Sequence, residues 1–182
     1  MSEVSCVNFR DVGEFINMIA GERLMPERRL YRGGKIDSVQ EPAHIGSPAT
    51  IINFRQAIDP EFHGATLLYT PTPNNYRVYD TSDRDVRAWL NEVVSIFADP
   101  NLAYPVLIHC RSGKDRTGVA VAALLRILDV PDEVILEEYL LSEGDVSAQR
   151  IEAALDGMKD IRRYLNRVDI DAVARNLRDS DN

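Results

Sequence analysis

The chain has 182 residues, of which 45% are hydrophobic and 27% are charged, as is ordinary for one globular domain with a sizeable core. Its formal net charge of −8 argues against a general role on nucleic acid or anionic membranes, since such binding needs a basic face. The 2 cysteines are too few for a disulfide framework, and no Cys-x-x-Cys pair indicates zinc.

The N-terminal sequence MSEVSCVNFRDVGEF has no basic start followed by an apolar run, so it predicts no signal peptide. The apolar runs are too short for a membrane span, so we expect no stable membrane insertion. We therefore expect one domain over residues 1–182, located in a reducing cytoplasm where free thiols persist.

Short apolar segments predict buried strands in the first two thirds of the chain. They are LYRG at 30–33, ATIINF at 49–54, ATLLYT at 65–70 and, after a helix, YPVLIHC at 104–110. The two prolines of PTPNNY, at 71–76, exclude a helix there. Apolar residues at helical spacing predict a helix over 85–99.

The last third of the chain has helical patterns. The nearly all-apolar TGVAVAALLRILD, at 117–129, predicts a buried helix, and Pro131 marks the first turn of the next one. Ser147 is the predicted N-cap of a helix through AQRIEAALDGMKDIRRYLNR, before a weakly helical tail. Because helices follow strands, we expect an α/β fold: a central, mostly parallel sheet of four to five strands flanked by helices, with a helical C-terminal extension over 147–182.

The segment HCRSGKDRTG, at 109–118, lies between a predicted buried strand and a predicted helix. A loop in this position points backbone N–H groups inward, and the helix N-terminus adds partial positive charge, so the loop can hold an anion. Gly113 allows the loop to turn, and Gly118 allows the helix start to pack closely. Phosphate fits best, because the Arg116 guanidinium can bind two of its oxygens at once.

Cys110 begins this loop. A helix N-terminus with nearby cations favours the thiolate, which is the reactive form of cysteine. A thiolate below a bound phosphate is placed to attack phosphorus, releasing an alcohol and leaving a cysteinyl-phosphate that water then hydrolyses. Thr117 is a candidate hydrogen-bond donor to the sulfur. A buried structural cysteine is the simpler alternative, but strand, glycines, arginine and helix all occur here in the required order.

The loop resembles the signature of the cysteine-dependent protein tyrosine phosphatase superfamily, His-Cys, five residues, then Arg-Thr/Ser-Gly. The Gly-Lys-Asp before the arginine is similar to a bacterial and fungal branch, related to a mycobacterial secreted phosphatase, of which some members also act on phosphoinositides. Further matching segments are NFRDVG at 8–13, LYRGG at 30–34, INFRQAIDPE at 52–61 and EEYLLS at 137–142. The resemblance covers residues 7–142 or so and implies a tyrosine phosphatase-like fold that needs no metal or cofactor.

The resemblance also implies roles for the loop residues. Cys110 is the nucleophile and Arg116 supplies the guanidinium fork. The phosphate-binding residues are Arg111, Ser112, Gly113, Lys114, Asp115 and Arg116. The chain departs from the family pattern at Asn53, where the family has an aspartate, and at Gly33, where it has a serine.

A proton donor for the leaving group is also expected. Many superfamily members use an aspartate on a loop some thirty residues before the cysteine, and Asp80 lies at that distance, with Asp83 and Asp85 as rivals. Asp115, inside the loop itself, is the alternative. We place Asp80 first, although a carboxylate there also suits the start of the helix over 85–99.

Other polar residues have two interpretations each. Lys114 either contacts a second phosphate or headgroup, or is a solvated loop lysine. His109 is expected to order the loop and to help keep Cys110 ionised. Cys6 could trap an oxidised Cys110 only where the fold brings the two together. Three arginines of the family motifs, which we expect to brace the sheet through carboxylates such as Asp11 or Asp59, are Arg10, Arg32 and Arg55.

The sequence therefore predicts a protein tyrosine phosphatase acting on phosphorylated protein, with dual specificity left open. A phosphoinositide phosphatase with the same mechanism is the alternative, and a phosphate-binding module without turnover is a third hypothesis. Sulfurtransferases and arsenate reductases also use a loop cysteine, but arsenate reduction needs a resolving cysteine, for which Cys6 is the candidate. The sequence indicates neither the oligomeric state nor the physiological substrate.

Overall fold

The computed structural model describes residues 6–62 and 64–180. Its five strands form one sheet in the order β1-β2-β5-β3-β4. The strands are β1 (Arg10–Asp11), β2 (Leu30–Gly33), β3 (Thr50–Asn53), β4 (Thr66–Tyr69) and β5 (Val106–His109). β1 pairs with β2 antiparallel, whereas the other neighbours pair in parallel. The predicted mostly parallel central sheet is confirmed.

The inner strands β2, β5 and β3 are buried throughout because both faces of the sheet are covered. Side chains alternate along each strand, so that Leu30, Ile52 and Ile108 join the larger core cluster. Tyr31, Ile51 and Leu107 join a smaller cluster on the other face. Each predicted strand is present, shortened by at most two residues at an end, but β4 is an exposed edge strand and not the buried strand that we expected.

Over residues 6–62 and 64–180, seven α-helices accompany the sheet, and buried side chains from every one of them belong to the larger core cluster. The helices are α1 (Val12–Ala20), α2 (Arg84–Ile96), α3 (Asp115–Ile127), α4 (Asp132–Leu140), α5 (Ala148–Gly157), α6 (Ile161–Tyr164) and α7 (Ile170–Arg178). The smaller cluster is closed by Ile36, Val39 and the 3₁₀ helix Pro42–Ile45. Within the described ranges, each helix is too short or too polar to cross a bilayer.

The sequence analysis did not predict α1. Asp11 caps it by accepting hydrogen bonds from the amides of Gly13 and Glu14. It ends at Gly21, whose left-handed backbone (φ +70°) suits a residue without a Cβ. The sequence signal that could have predicted α1 is Asp11, a favourable N-cap residue, followed ten residues later by Gly21, a favourable C-cap residue.

The single helix predicted over 148–167 is wrong, because that segment is broken into α5 and α6, whereas the tail that was expected to be weakly helical forms α7. Gly157 lies against the backbone that follows Asp80, where an added Cβ would be only 2.1 Å from the Thr81 hydroxyl oxygen. The chain turns there, and Asp160 caps α6. Ser147 does occupy the N-cap position of α5, but its hydroxyl makes no capping hydrogen bond.

The sheet order places β5 between β2 and β3, and α3 follows β5 after a short loop. The carboxyl end of a central parallel strand, facing a helix N-terminus, is where α/β folds commonly bind ligands. This junction holds residues 110–114.

Candidate active site

Cys110 directly follows β5 and is 1% exposed. The hydroxyl of Thr117, in the first turn of α3, donates a hydrogen bond to its sulfur over 3.1 Å. The sulfur therefore lies at the N-terminus of α3 and accepts a hydrogen bond, an arrangement that favours the thiolate.

The scaffold around the loop holds its carbonyl groups. Three of them accept hydrogen bonds: Arg111 from the Lys35 amide (3.0 Å), Ser112 from the Asn8 side chain (2.8 Å) and Gly113 from the Arg32 guanidinium (2.9 Å). In a trans peptide the N–H points away from the C=O. With these carbonyls turned to the scaffold, the following amides face the other side of the loop, where an anion binds.

Gly113 is required by this loop geometry. Its backbone is left-handed (φ +69°), and an added Cβ would be 2.4 Å from the carbonyl carbon of Gly33. Gly118 has a packing role, because an added Cβ there would be 2.9 Å from the Tyr139 ring. Both glycine expectations are confirmed.

Arg116 lies under the loop and is 2% exposed. One terminal nitrogen donates to the carbonyls of Phe54 (3.1 Å) and Thr72 (3.2 Å). Its buried Nε has no hydrogen-bond partner within the described residues. A buried guanidinium N–H without a partner is costly, so the site fits an anion that accepts a hydrogen bond there.

His109 is fully buried at the end of β5. Its Nε2 lies 2.7 Å from a carboxylate oxygen of Asp59, and its Nδ1 lies 3.3 Å from the Cys110 carbonyl oxygen. Asp59 also binds Arg55 over 3.0 Å, which is the bracing ion pair that we expected. His109 thus orders the backbone that carries the sulfur.

The other two arginines, Arg10 and Arg32, bind a different carboxylate from the one that we expected. Arg10 and Arg32 both bind Glu138 of α4, over 2.8 and 2.6 Å, and Glu138 is 1% exposed. Asp11, suggested as their partner, caps α1 instead. Burial, followed by the charge of Arg32, lowers the pKa of Arg10 to about 10, although Glu138 opposes this. Since Arg32 also holds the Gly113 carbonyl, Glu138 links α4 to the loop.

The structure separates the candidate proton donors. Asp115 lines the cavity at the loop, and one of its oxygens, Oδ1, accepts a hydrogen bond from the Tyr79 hydroxyl over 2.5 Å. Asp80 is an exposed residue at the end of the 3₁₀ helix Tyr76–Tyr79, and its charge acts on Arg77 and Tyr164.

The two rivals of Asp80 are committed elsewhere. Asp83 caps α2 and binds Arg77 over 2.6 Å, and this hydrogen bond lowers the pKa of Asp83. Asp85 is an exposed neighbour of the same arginine, at 3.7 Å. Of the four aspartates, Asp115 is the one whose side chain the structure places at the loop cavity.

A cavity of about 390 Å³ opens at the outer side of the loop. It is lined by Asn74, Asn75, Tyr76, Arg111, Ser112, Lys114 and Asp115. The Lys114 ammonium lies 3.7 Å from Oδ2 of Asp115, whereas Arg111 is exposed. Two cations, Arg111 and Lys114, and the ring of Tyr76 therefore surround this cavity, which we call the entrance to the loop.

Cys6 and Cys110 are both buried, free thiols. Cys6 donates to the Gly34 carbonyl over 3.2 Å. Burial raises the pKa of Cys6 to about 11, and the charge of Cys110 adds to this rise. The fold thus brings the two thiols into the same part of the molecule without joining them.

Four residues of the site were missed by the sequence analysis: Asn8, Tyr79, Glu138 and Tyr139. Asn8 opens the NFRDVG segment, and Glu138 and Tyr139 lie within EEYLLS, so the quoted motifs contained them without indicating a role. Tyr79 had no comparable signal. No group of three or more candidate metal ligands occurs among the residues that the structure describes.

Comparisons with known proteins agree with this geometry. A model of the tyrosine phosphatase family matches residues 2–179. The triple specificity protein phosphatase PtpB of Mycobacterium tuberculosis is 39% identical over 77 residues, which are 42% of this chain. The matched region spans 26%, about a quarter, of the length of PtpB.

Solved structures show the same fold. The core catalytic domain of the PP-IP phosphatase SIW14 of S. cerevisiae superimposes with a TM-score of 0.58 at 18% identity, covering 92% of this chain and 98% of that one. A second structure of the Siw14 catalytic core gives a TM-score of 0.53, again at 18% identity, over 77% of this chain and 89% of the other. With the match of the family model along almost the whole sequence, the chain belongs to the tyrosine phosphatase family.

Proposed function

We propose that the protein hydrolyses phosphomonoesters in two steps at Cys110. The sulfur attacks phosphorus, the bond from phosphorus to the leaving oxygen breaks, and that oxygen takes a proton. Water then attacks the cysteinyl-phosphate, the bond from sulfur to phosphorus breaks, and inorganic phosphate leaves. The observation that carries this proposal is the loop itself, whose carbonyls bind the scaffold next to a buried thiol.

Arg116 and Thr117 support different parts of this reaction. The Nε of Arg116, which has no partner among the described residues, donates to an oxygen of the phosphoryl group and stabilises the charge that develops there. The hydroxyl of Thr117 stabilises the thiolate that leaves in the second step.

We assign the proton transfer to Asp115 in preference to Asp80, reversing the order that the sequence suggested. Asp115 lines the loop cavity, whereas Asp80 is exposed beside Arg77. A general acid must come within hydrogen-bond reach of the leaving oxygen, and this placement favours Asp115. Asp115 then accepts the proton of the attacking water in the second step.

Phosphotyrosine in protein is the proposed substrate class. The entrance offers the exposed ring of Tyr76, which suits an aromatic substrate, and its volume of about 390 Å³ fits a small side chain. The name of PtpB records triple specificity, so we keep dual specificity within the proposal.

A multiply phosphorylated substrate, such as a phosphoinositide, is the second candidate. Lys114 and Arg111 at the entrance favour it, because two cations can bind a second phosphate. SIW14 is described as a PP-IP phosphatase, which lends support to this candidate. The net charge of −8 favours neither nucleic acid nor an anionic membrane as a partner.

Two further proposals concern the chain as a whole. We include residues 147–182 in the same phosphatase domain, since buried residues of α5 and α7 join the larger core cluster. We also propose a cytoplasmic location, where the two free thiols stay reduced.

Phosphate release from purified protein tests the function. A phosphotyrosine peptide, a phosphothreonine peptide and a short-chain phosphoinositide are compared with chelator present, with Cys110→Ser as the control. Fast release from the tyrosine peptide that disappears in Cys110→Ser supports the proposal. Preference for the phosphoinositide favours the second candidate, and no release from any of the three leaves a phosphate-binding module.

A further inference from the structure

Three polar groups form a chain of hydrogen bonds behind Asp115. The Tyr79 hydroxyl lies 2.5 Å from Oδ1 of Asp115 and 2.7 Å from the Tyr139 hydroxyl. The amide of Ser147 donates to the Tyr139 oxygen over 3.5 Å. Both tyrosines are buried, and their rings pack edge to face at 6.2 Å. The chain connects α3 with the 3₁₀ helix 76–79, α4 and the start of α5.

The directions of these hydrogen bonds follow from the number of hydrogens. A tyrosine hydroxyl has one hydrogen to donate. Because Tyr79 donates it to the carboxyl group of Asp115, the bond between the two hydroxyls must run from Tyr139 to Tyr79. Tyr139 in turn accepts from Ser147. Every donor in the chain therefore points towards Asp115.

We propose that Tyr79, held by Tyr139, is a positioning residue that fixes which oxygen of Asp115 exchanges protons with the substrate. The inference rests on the proposed function, in which Asp115 is the acid. With Oδ1 occupied by the Tyr79 hydroxyl, the proton of the neutral carboxyl group is on Oδ2. Oδ2 is also the oxygen nearest the Lys114 ammonium, at 3.7 Å, beside the cavity.

The proton balance of both steps follows. As the sulfur of Cys110 bonds to phosphorus, the proton on Oδ2 moves to the leaving oxygen, and Asp115 becomes a carboxylate. In the second step the attacking water gives its proton back to Oδ2. Tyr79 keeps its own proton throughout and moves only with the carboxyl group that it holds.

Tyr79 is suited to this role because it does not ionise in the working range. Burial, followed by its hydrogen bond to Asp115, raises the pKa of Tyr79 far above that of an ordinary tyrosine. The hydroxyl therefore remains a donor in both charge states of Asp115. The Lys114 ammonium, at a longer distance, offers charge without a comparable hydrogen bond.

The test uses the dependence on the leaving group. Nitrophenolate departs without a proton, whereas phenolate needs one, so loss of acid catalysis affects phenyl phosphate and spares p-nitrophenyl phosphate. For Tyr79→Phe, which keeps the ring, we expect kcat/KM on phenyl phosphate to fall about 10-fold and that on p-nitrophenyl phosphate to change less than about twofold. Tyr139→Phe should show the same pattern with a smaller loss.

Matched variants separate this inference from the proposed function. Asp115→Asn should show the same selective fall of kcat/KM on phenyl phosphate, and the fall should be larger than in Tyr79→Phe. Tyr104→Phe removes a hydroxyl near the opposite end of β5 and should leave the ratio of the two substrates unchanged. A purely structural effect of Tyr79→Phe would lower kcat/KM equally on both substrates.

Each of the other outcomes contradicts either the positioning role of Tyr79 or the proposed function. Suppose that Asp115→Asn lowers kcat/KM selectively on phenyl phosphate, whereas Tyr79→Phe lowers kcat/KM equally on both substrates or leaves both unchanged. The positioning role is then wrong and the proposed function stands. If Asp115→Asn shows no selectivity, Asp115 is not the acid and the positioning role is lost with it. Absence of release that depends on Cys110 overturns the proposed function, and the inference too.

Discussion

The two thiols of this protein have opposite environments although both are buried in the same part of the fold. The sulfur of Cys6 donates to the Gly34 carbonyl, and burial raises the pKa of Cys6 to about 11. The sulfur of Cys110 accepts from Thr117 and lies at the start of α3. Burial is the main reason why the pKa of Cys6 rises, whereas a hydroxyl donor and a helix N-terminus, as at Cys110, stabilise a thiolate.

The difference shows that burial alone does not decide the chemistry of a cysteine. Both side chains are withdrawn from water. The hydroxyl of Thr117 and the start of α3 distinguish Cys110 from Cys6. Cys6 acts as a small apolar residue beside β2, whereas Cys110 is the nucleophile of the proposed reaction.

The largest test of this comparison is removal of each sulfur in turn. Cys110→Ser should lower phosphate release from p-nitrophenyl phosphate by at least about 10³-fold, because the nucleophile is lost. Cys6→Ala should keep the activity within about twofold, since Cys6 contacts neither substrate nor loop amides in the proposed reaction. A large loss in Cys6→Ala, with unchanged circular dichroism, would contradict the comparison.

Alkylation by iodoacetamide measures the two thiols separately. At pH 8 a thiol with a pKa of about 11 is a thiolate in about 0.1% of molecules, so Cys6 in the Cys110→Ser protein should react at least about 100-fold more slowly than Cys110 in the Cys6→Ala protein. The Cys6 rate should rise about tenfold per pH unit until pH reaches about 11. Equal rates at pH 8 would contradict the assigned environments.

The raised pKa of Cys6 also makes the free energy of unfolding depend on pH. The folded value of about 11 lies above the ordinary cysteine pKa of 9.0, so Cys6 stabilises the fold fully below pH 9.0, and this contribution is lost as pH rises through 11. Cys6→Ala should therefore flatten the fall of the free energy of unfolding over that range.

Thr117→Val sharpens the comparison by removing the donor to Cys110 while keeping the side-chain shape. We expect kcat on p-nitrophenyl phosphate to fall about 10-fold, because a hydrogen bond to a charged group contributes about 1.5–3 kcal/mol. Thr117→Ser keeps a hydroxyl and should retain most of the activity. Equal losses in the two variants would mean that the methyl group matters more than the hydroxyl.

The smallest effect concerns the space that Cys6 fills. A Cβ added at Gly33 would lie 2.7 Å from the sulfur of Cys6, so Gly33→Ser, which restores the family residue, should lower the free energy of unfolding by about 1–2 kcal/mol. Adding Cys6→Ala should recover much of this loss. Urea unfolding of the two single variants and the double variant measures the coupling, and additive effects would exclude it.

Sequence patterns predicted the parts of the structure that local chemistry determines. β2 to β5 and α3 come from unbroken apolar runs, and the loop at Cys110 comes from a motif in a defined context. The helix after Ser147 was predicted too long, because helical spacing does not reveal that Gly157 must lie against Thr81.

The remaining parts of the site depend on contacts between distant residues. Glu138 meets Arg10 across 128 positions of sequence, and Tyr79 meets Asp115 across 36. Spacing along a strand or helix carries no information on such pairs. Asp80 was preferred to Asp115 for the same reason, since its sequence distance from Cys110 fits but its side chain is placed elsewhere.

The anchored carbonyls of Arg111, Ser112 and Gly113 also affect how the product leaves. A loop that is already shaped around a tetrahedral oxyanion binds inorganic phosphate with the same groups that bind the phosphoryl group of the substrate. In the proposed reaction, free phosphate therefore competes with substrate for the loop, and we expect turnover to slow as phosphate accumulates. The product of the proposed reaction is thus also a competitive inhibitor of it.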